Sequence, residues 1–322
     1  MATPRHDPVQ LSPPLLDIAD QARVRFKNAE LAQLTVLSYQ RDWRVFSAWC
    51  TSAGRDSLPA SSDTVELYVA DMLGRGRKVS TLERHVVGIQ HIHRRAGHQS
   101  PCDRGVHEVL SGARRILCQR SDQKEAIRLE DLRAMVKRIG HKTPIAARNS
   151  AILLLGWATA LRRSNLAALR LEDLTFSRDG VVVRVDHEKQ DRKGIGRDVA
   201  VPYGRRKITC PVRALDRWLD ARGRDRPGPL FCRVHGGHPS GHALLGNRIA
   251  QIVQESVATI GLDRKRYGAH SLRAGFATEG LERQVNEISL ARQTGHASLD
   301  TLRVYLRSRD PFRGNPCSAM GL

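Results

Sequence analysis

Two stretches in the C-terminal part of the chain indicate its fold: HSLRAGFAT at 270–278 and RQTGHASLDTLRVYLR at 292–307. In the first, His270 and Arg273 are three residues apart, so a helix places the imidazole and the guanidinium on the same side of one turn. In the second, Gly295-His296 is followed nine residues later by Tyr305. Taken singly, each of these side chains is more often structural than catalytic. Together they supply groups for proton transfer and nucleophilic attack.

Two further stretches precede these. The apolar run 152–155 leads into TALRRSNLAAL at 159–169, and Lys189 lies in HEKQD at 187–191. Lys189 falls between two segments of alternating apolar residues, Val181, Val183 and Val185 before it and Val199 and Val201 after it. This alternation, with Gly194 and Gly196 between the two segments, predicts a β-hairpin.

The order Arg, Lys, His-x-x-Arg, Gly-His, Tyr resembles the tyrosine recombinases, also called the phage integrase family. TALRRSNLAAL is similar to the first arginine box of that family, and the two C-terminal stretches are similar to its second and third boxes. The matching motifs span about 150 to 310, and the helical N-terminal half resembles the core-binding domain of the family more loosely. Each box alone is a weak signal, whereas all of them in this order are specific.

The resemblance implies a covalent reaction on DNA. The phenol of Tyr305 attacks a phosphodiester and forms a 3′-phosphotyrosyl link, which a DNA hydroxyl later displaces. Arg162 and Arg273 clamp the charged transition state with planar donor forks. Lys189 protonates the 5′-oxygen that leaves, His270 serves the tyrosine proton, and His296 hydrogen-bonds the scissile phosphate. The resemblance implies no metal and no other cofactor.

Alternatives exist at several of these positions. Arg163 could replace Arg162, but the Leu-Arg register selects Arg162 and leaves Arg163 as a surface or DNA contact. Near Lys189, three other basic residues compete for its role, Arg192, Lys193 and Arg197, but the position just after the first predicted strand selects Lys189. The family commonly has an acidic residue three positions after the first arginine, where this chain has Asn165. An amide can still hydrogen-bond a neighbouring residue but supplies no charge.

The net charge of the chain indicates the kind of partner that it binds. Among 322 residues, 53 are Lys or Arg and 33 are Asp or Glu, which gives a net charge of +20. No apolar run approaches the roughly 20 residues of a membrane span, so we expect no membrane association. The six dispersed cysteines do not suggest a disulfide scaffold, which favours a cytoplasmic protein, associated with the nucleoid when bound. The charge favours a polyanionic partner, most simply double-stranded DNA.

The predicted fold is mainly α. An all-helical core-binding domain of SAM-like type is followed by a mixed α/β, mostly helical, catalytic domain with a small β-sheet. The predicted boundaries are a flexible arm at 1–30, the helical DNA clamp at 31–119, a linker at 120–128, the catalytic domain at 129–310 and a tail at 311–322. In the first domain, Ser80 is expected to cap a helix. In the second, we expect helices at about 129–139, 146–159, 211–222, 242–260, 271–282 and 285–293.

Two groups of residues could bind further ligands. Basic side chains cluster around one turn and one helix of the first domain and suggest a groove-facing element on DNA: Arg75, Arg77, Lys78 and Arg84, with Arg94 and Arg95 beyond them. Cys232, His235, His238 and His242 could ligate zinc, although their spacing matches no standard structural zinc site. The alternative for this segment is a polar loop in which histidine contacts phosphate.

These features predict a site-specific DNA recombinase or integrase, of the kind carried by a mobile element, that assembles as a homotetramer on DNA. Two other functions are compatible with much of the same sequence pattern. A non-catalytic DNA-binding regulator could keep the fold, but the complete set of candidate catalytic residues argues against it. A topoisomerase of type IB would share the chemistry and would relax a plasmid that lacks any target site.

Overall fold

The computed structural model describes residues 21–22, 33–119, 123–186, 195–305, 317 and 320. Lys189 and its neighbours at 187–194 lie outside the described residues, as do most of the predicted arm and tail. The chain divides into two compact units, Met1–Ser121 and Asp122–Leu322. The described part is mainly helical, as predicted, and it contains two small sheets where the sequence predicted one.

The first unit is all-helical in its described part. Its helices are α1 (Gln33–Ser52), α2 (Ser62–Gly74), α3 (Val79–Arg95) and α4 (Arg104–Leu117). Phe46, Tyr68, Leu82 and Ile89 are fully buried in a core that all four helices share. Burial of such apolar and aromatic side chains is the main favourable term in folding a unit of this size.

Helices α2 and α3 differ in how their N-termini are capped. Ser61 caps α2, because its side chain accepts a hydrogen bond from the amide of Thr64. The prediction that Ser80 caps α3 is wrong. The helix begins at Val79, and Lys78 occupies the N-cap position without a side-chain hydrogen bond.

The second unit combines helices with two antiparallel sheets. Its helices are α5 (Leu129–Ile139), α6 (Pro144–Thr159), α7 (Arg163–Ala168), α8 (Pro211–Arg222), α9 (Gly246–Ala258), α10 (His270–Glu282), α11 (Glu287–Thr294) and α12 (Leu299–Arg303). Its strands are β1 (Leu174–Phe176), β2 (Gly180–Val185), β3 (Arg197–Pro202), β4 (Cys232–His235) and β5 (His238–Ala243).

The first sheet contains the predicted hairpin. Strands β2 and β3 pair with Val181 opposite Val201 and Val183 opposite Val199, and all four side chains are buried. Because side chains alternate between the faces of a strand, this register directs the valines to the core and the residues between them outward. Strand β1 adds a third, short strand beside β2 that the sequence pattern did not reveal.

The second sheet replaces part of a predicted helix. Residues 242 and 243 belong to β5, and α9 begins only at Gly246 rather than at 242. Strands β4 and β5 form a hairpin whose turn joins His235 and His238. Most side chains of this hairpin are exposed or half-buried, so its sequence carries no apolar alternation that would have predicted a strand.

Helix α6 runs through the core of the second unit. Its residues 151–155 are all buried, and α8 packs beside it with the fully buried Trp218, whose indole donates to the carbonyl of Leu230 at 2.8 Å. An interior helix that is apolar on nearly every side is typical of such a central position.

Part of the predicted linker is packed on this unit. Ile127 is fully buried, and its amide donates to the carbonyl of Ser271 at 3.0 Å. The Ile127 carbonyl accepts from the indole of Trp157 at 3.2 Å and approaches α10 so closely that a Cβ on Gly275 would lie 1.9 Å from it. Residues 123–128 therefore form a docked strap instead of a free connection, and Gly275 is required for the close approach.

No helix within the described residues has the length and apolar character needed to cross a membrane.

Candidate active site

The turn after α6 positions Arg162. Helix α6 ends where Ala160 adopts the left-handed conformation, with φ of 50°. The chain then reverses direction, and Arg162 becomes the N-cap residue of the short helix α7. A left-handed alanine is unusual and marks a sharp, specified change of direction. The half-buried Arg162 side chain thereby faces the same pocket as residues of α10 and α12.

Arg273 joins the ends of two helices. It lies on α10 and is only 2% exposed. Its Nη1 donates to the carbonyl of Ala160 at 2.8 Å and also to the carbonyl of Thr294 at the end of α11. A buried guanidinium that is held by two main-chain carbonyls has little freedom to reorient. Arg273 therefore presents a fixed positive charge to the pocket.

His296 follows the left-handed C-cap of α11. Gly295 has φ of 66°, and the His296 amide closes the helix end by donating to the carbonyl of Ala291 at 3.0 Å. The Nδ1 atom of His296 lies 2.6 Å from Oγ1 of Thr294, and that hydroxyl also lies 2.7 Å from the carbonyl of Leu290. Only the hydroxyl can donate to the carbonyl, so Nδ1–H donates to Oγ1. Neutral His296 therefore keeps an unprotonated Nε2.

Tyr305 and His270 are in hydrogen-bond contact. The phenol oxygen of Tyr305 lies 3.0 Å from Nε2 of His270, the first residue of α10. The Tyr305 ring packs on a small apolar cluster that is separate from the main core and contains Ala277, Leu281, Leu290, Ala291 and Leu302. The ring centroid of Tyr305 is also 5.7 Å from that of His296. The phenol is thus held between two imidazoles.

Both histidines have lowered pKa values. Desolvation by burial is the first cause for each, followed by the positive charges of Arg273 and Arg162. These effects lower the pKa of His296 to about 3 and also lower that of His270, although His270 keeps an exposed face at the mouth of the pocket. Near neutral pH both imidazoles are therefore uncharged, and His270 can accept a proton from the phenol.

Five of the six predicted catalytic residues line one pocket of about 540 Å³: Arg162, His270, Arg273, His296 and Tyr305. The sixth, Lys189, lies outside the described residues, in the segment between β2 and β3. Glu125 is the acidic side chain in the lining, and it pairs with Arg266. The pocket is thus an electropositive cleft with a hydrogen-bonded phenol, which suits an anionic substrate that undergoes nucleophilic attack.

Sequence reasoning missed several residues of this lining. Lys124 belongs to the docked strap, and its ammonium group donates to the carbonyl of Lys265. Thr278, one turn and a half after Arg273, has a buried hydroxyl with no hydrogen-bond partner among the described residues. The polar composition of 120–128 gave no signal that this segment lies beside the pocket. Thr278 lies within the HSLRAGFAT stretch and could have been selected by its helical spacing from Arg273 and Ala274.

The predicted DNA contacts of the first unit differ in their surroundings. Arg75, Arg77 and Lys78 are exposed around the end of α2, and Arg75 pairs with Asp71 at 2.9 Å. Arg84 instead binds the buried carboxylate of Asp42 through two hydrogen bonds of 2.6 and 2.9 Å. In the second unit, Arg163 is exposed at the start of α7.

The possible zinc ligands do not converge. Cys232 is buried at the start of β4, whereas His235, His238 and His242 are exposed along the β4–β5 hairpin. Within the described part of the chain, no three His, Cys, Asp or Glu side chains are grouped to hold a metal ion.

Asn165, which occupies the position where the family commonly has an acidic residue, is buried. Its Oδ1 accepts a hydrogen bond from the hydroxyl of Ser164 at 3.1 Å.

Comparison with known proteins connects this geometry to relatives. An integrase/recombinase xerD homolog of Selenomonas ruminantium is 33% identical over 294 residues, which cover 90% of this chain and 86% of the relative. The recombinase cre of Escherichia phage P1 is 26% identical, with 92% of this chain and 90% of the relative covered.

Solved structures share the fold. The integrase of the Tn1549 transposon, in complex with transposon right end DNA, superposes with a TM-score of 0.62 at 16% identity, covering 94% of this chain and 97% of the other. A lambda integrase dimer bound to a COC′ core site gives a TM-score of 0.60 at 15% identity, covering 91% and 95%.

The sequence profile of the phage integrase family matches residues 125–311, more than half of the chain, and this range includes the five predicted catalytic residues that line the pocket. The match begins within the docked strap rather than at α5. Together with the extensive similarity to the xerD homolog, this match shows that the chain belongs to the phage integrase family of tyrosine recombinases.

Proposed function

We propose that this protein is a site-specific DNA recombinase of a mobile element, which cleaves and rejoins double-stranded DNA through a 3′-phosphotyrosyl intermediate on Tyr305. The observation that carries the proposal is the 3.0 Å contact between the phenol oxygen of Tyr305 and Nε2 of His270, inside a pocket that also contains Arg162 and Arg273. A nucleophile in contact with a neutral base, facing paired guanidinium groups, suits attack on a phosphodiester.

In the cleavage step, the phenol oxygen of Tyr305 forms a bond to phosphorus as the bond from phosphorus to the 5′-oxygen breaks. The phenol proton passes to Nε2 of His270, which the lowered pKa keeps available as an acceptor. The 5′-oxygen receives a proton as it leaves. In the joining step, a DNA 5′-hydroxyl attacks the phosphotyrosine and the phenol recovers its proton, so neither step consumes a high-energy cofactor.

The two arginines stabilise the charge that grows on the non-bridging oxygens. Arg273 is already fixed by the carbonyls of Ala160 and Thr294, so little reorganisation accompanies the reaction. Arg162 approaches from the turn after α6. His296 has an unprotonated Nε2 in the free protein, and a phosphate in the pocket raises its pKa and converts Nε2 to a donor.

Lys189 is the group that we assign to protonation of the leaving 5′-oxygen. It follows strand β2, and an ammonium on a long flexible stem can deliver a proton to an oxygen that moves away from phosphorus. This assignment rests on the family resemblance and on its place in the sequence between β2 and β3.

The relatives support the choice of DNA as substrate. The Tn1549 integrase and the lambda integrase are described in complex with DNA, the former with a transposon end and the latter as a dimer. The net charge of +20 agrees with a polyanionic partner. Exchange of strands between two duplexes requires four cleavages, so we propose that four copies assemble on DNA, each contributing one Tyr305.

The test uses a suicide DNA substrate with a nick beside the scissile phosphate, which traps the covalent adduct. The wild-type protein is expected to form an adduct that resists denaturation, and Tyr305→Phe is expected to form none. The matched control is Tyr203→Phe, which removes the hydroxyl of a tyrosine outside the pocket and leaves adduct formation intact. An adduct in Tyr305→Phe would remove Tyr305 from its assigned role.

The same preparations separate the rival functions. A non-catalytic regulator binds the duplex and gives no adduct in the wild type. A relaxing enzyme changes the linking number of a supercoiled plasmid that lacks any target site, whereas a recombinase acts only when the site is present.

A further inference from the structure

The main chain of Ile127 lies where the docked strap meets two helices. Its amide donates to the carbonyl of Ser271 at 3.0 Å, and its carbonyl accepts from Nε1 of Trp157 at 3.2 Å. Ser271 is the second residue of α10, and Trp157 lies in the last turn of α6. One residue of the strap therefore joins the beginning of α10 to the end of α6 through its two main-chain polar groups.

The hydrogen bond between Trp157 and Ile127 is packed directly against α10. A Cβ on Gly275 would lie 1.9 Å from the Ile127 carbonyl oxygen and 2.9 Å from Nε1 of Trp157. The glycine therefore leaves the space that both atoms of the bond require. The indole ring of Trp157 also packs edge-on against the ring of Phe276, with the two centroids 5.1 Å apart. These contacts fix the point at which the last turn of α6 meets α10.

The strap is also held on either side of Ile127. Before it, the amide of Glu125 donates to the carbonyl of Arg266 at 2.9 Å. After it, the guanidinium of Arg128 donates to Oε1 of Glu282, at the other end of α10, at 2.8 Å. The main chain of Ile127 therefore cannot move along α10 unless contacts on both sides of it break.

The two helices that are joined in this way position the arginines of the pocket. Arg162 follows the end of α6 by three residues, and Arg273 lies on α10 two residues after Ser271. Arg273 also contacts the carbonyl of Ala160, but its guanidinium is the group that we assign to the phosphate. The bond from Trp157 to the strap uses no side chain of the described pocket lining. It can therefore hold the helices together while the substrate occupies the guanidinium groups.

We propose that Trp157 is a positioning residue for DNA cleavage. Through the carbonyl of Ile127, it fixes the first turn of α10 relative to the turn that carries Arg162. The inference rests on the proposed function, because it concerns the rate of the same covalent step. Trp157 acts through the two helices and not on the substrate itself. A displacement of about 1 Å between groups that act together on a transition state can cost about 100-fold in rate, so a single well-placed contact behind the pocket affects cleavage.

The first experiment removes the indole donor. Trp157→Phe keeps an aromatic ring against Phe276. We expect single-turnover adduct formation at saturating suicide substrate to slow by about 10-fold, as for a displacement of less than 1 Å, while DNA affinity stays within about twofold. The matched control is Trp218→Phe, which removes an indole hydrogen bond of 2.8 Å to the carbonyl of Leu230 in the core of the same unit. This control is expected to lower the melting temperature and to keep the wild-type rate.

The second experiment displaces the acceptor. Gly275→Ala places a methyl group where the Ile127 carbonyl lies, and it is expected to slow adduct formation by about 100-fold. The double variant with Trp157→Phe should be no slower than Gly275→Ala alone, within about twofold, because the indole has already lost its partner. Independent effects would multiply to about 1,000-fold. The matched control is Gly112→Ala on α4, where an added Cβ meets open space and the rate should not change.

All rates are measured well below the melting temperature of every variant. If circular dichroism shows that Gly275→Ala is unfolded, the comparison of Trp157→Phe with Trp218→Phe decides the question. The proposal is overturned if Trp157→Phe cleaves at the wild-type rate, if Trp218→Phe loses as much rate, or if the effects of Trp157→Phe and Gly275→Ala multiply. A wild-type protein that forms no adduct would overturn the proposed function. Adduct formation at equal rates in the wild type and in Trp157→Phe would overturn only the present inference.

Discussion

Arg197 is joined to Gln293 by a hydrogen bond from its Nη1 to the Gln293 carbonyl, at 3.1 Å, and a second bond of the same length reaches the carbonyl of Arg292. The side-chain amide of Gln293 donates in turn to the carbonyls of Ala158 and Ala200, at 3.0 and 3.1 Å. Strand β3, the end of α11 and the end of α6 are thus connected through one pair of side chains. This connection lies directly before Gly295-His296.

Gln293→Leu is expected to slow cleavage by about 10–100-fold, because small displacements of positioned groups are costly to a reaction of this kind. The variant keeps the size of the side chain and removes both amide hydrogen bonds. DNA affinity should stay within about twofold, because the substitution leaves the surface charge unchanged. The lost hydrogen bonds, with net energies of ~1 kcal/mol, instead affect the positions of α6 and β3. Single-turnover adduct formation and equilibrium binding measure the two effects.

The control for Gln293 is Arg292→Gln, which changes an exposed side chain and leaves the carbonyl that Arg197 binds. Equal cleavage rates for Gln293→Leu and Arg292→Gln would show that the connection between the three elements has no part in catalysis.

Arg162→Lys and Arg273→Lys should each reduce the rate of adduct formation by about 10²–10³-fold, the usual cost of removing a donor from a charged transition state. The two variants should differ in stability. Arg273→Lys loses the bond between the ends of α6 and α11 and is expected to lower the melting temperature, whereas the half-buried Arg162 has a smaller effect. Arg163→Lys, at the exposed neighbouring position, is the control. A parallel loss of cleavage and of DNA affinity would argue against a role confined to the scissile phosphate.

Lys189→Ala is expected to reduce cleavage by about 10²–10⁴-fold on an ordinary substrate, as for the loss of a general acid. A substrate with sulfur in place of the 5′-oxygen should restore the rate, because a thiolate is stable near neutral pH and leaves without a proton. Arg192→Ala and Lys193→Ala are the controls, and neither should show this rescue. Rescue of one of these two variants instead would transfer the role of acid to that residue.

His296 should make stability depend on pH. Its pKa falls from 6.5 to about 3 in the folded protein, so between these values the unfolded chain binds a proton that the folded chain does not. The free energy of unfolding should therefore rise with pH through this window, and the contribution is fully present above pH 6.5 and lost as pH falls toward 3. Urea titrations at several pH values measure the slope, which His296→Gln should reduce.

The control for the pH slope is His238→Gln, at an exposed position of the same unit. If His296→Gln and His238→Gln retain the same dependence on pH, the His296 imidazole is not the group that titrates on unfolding.

Arg84→Ala should destabilise the first unit by about 1–3 kcal/mol, because it removes the charged partner of a buried carboxylate, with the lower end favoured by the partial exposure of Arg84. Asp42 is 1% exposed and also lies 3.4 Å from Nε2 of His85, whose Nδ1 contacts the phenol of Tyr68 at 2.6 Å. Chemical denaturation measures the change. Arg104→Ala removes an exposed i,i+4 pair with Glu108 and should cost about 0.5 kcal/mol or less; a similar loss in both variants would contradict the structural importance of Arg84.

Much of the fold was predictable because its signals are local. The alternating valines of β2 and β3 and the apolar spacing of α5, α8 and α10 each require only neighbouring residues, and these elements occur where they were predicted. The candidate catalytic residues were found in the same way, from short motifs in a specific order. Five of them now line one pocket, and their chemical roles stay predictions.

The features that escaped prediction depend on contacts between distant residues. The docked strap requires the space above Gly275 and the indole of Trp157, neither of which is near Ile127 in sequence. The pairing of Arg84 with Asp42 joins residues 42 positions apart, so Arg84 looked like a free basic side chain. The β4–β5 hairpin was missed because an exposed strand needs no apolar alternation.

The apolar cluster beneath Tyr305 has a consequence for when the nucleophile is available. Helix α12 has five residues, and Leu302 is its buried anchor in a cluster that is separate from the main core. A short element with so few buried contacts opens at a lower free energy than the whole domain does. Undocking of α12 would withdraw the phenol from His270, whereas Arg162 and Arg273, which lie on other elements, would stay in place. In the proposed function, a local order–disorder transition of this one helical turn would therefore separate the nucleophile from the phosphate clamp.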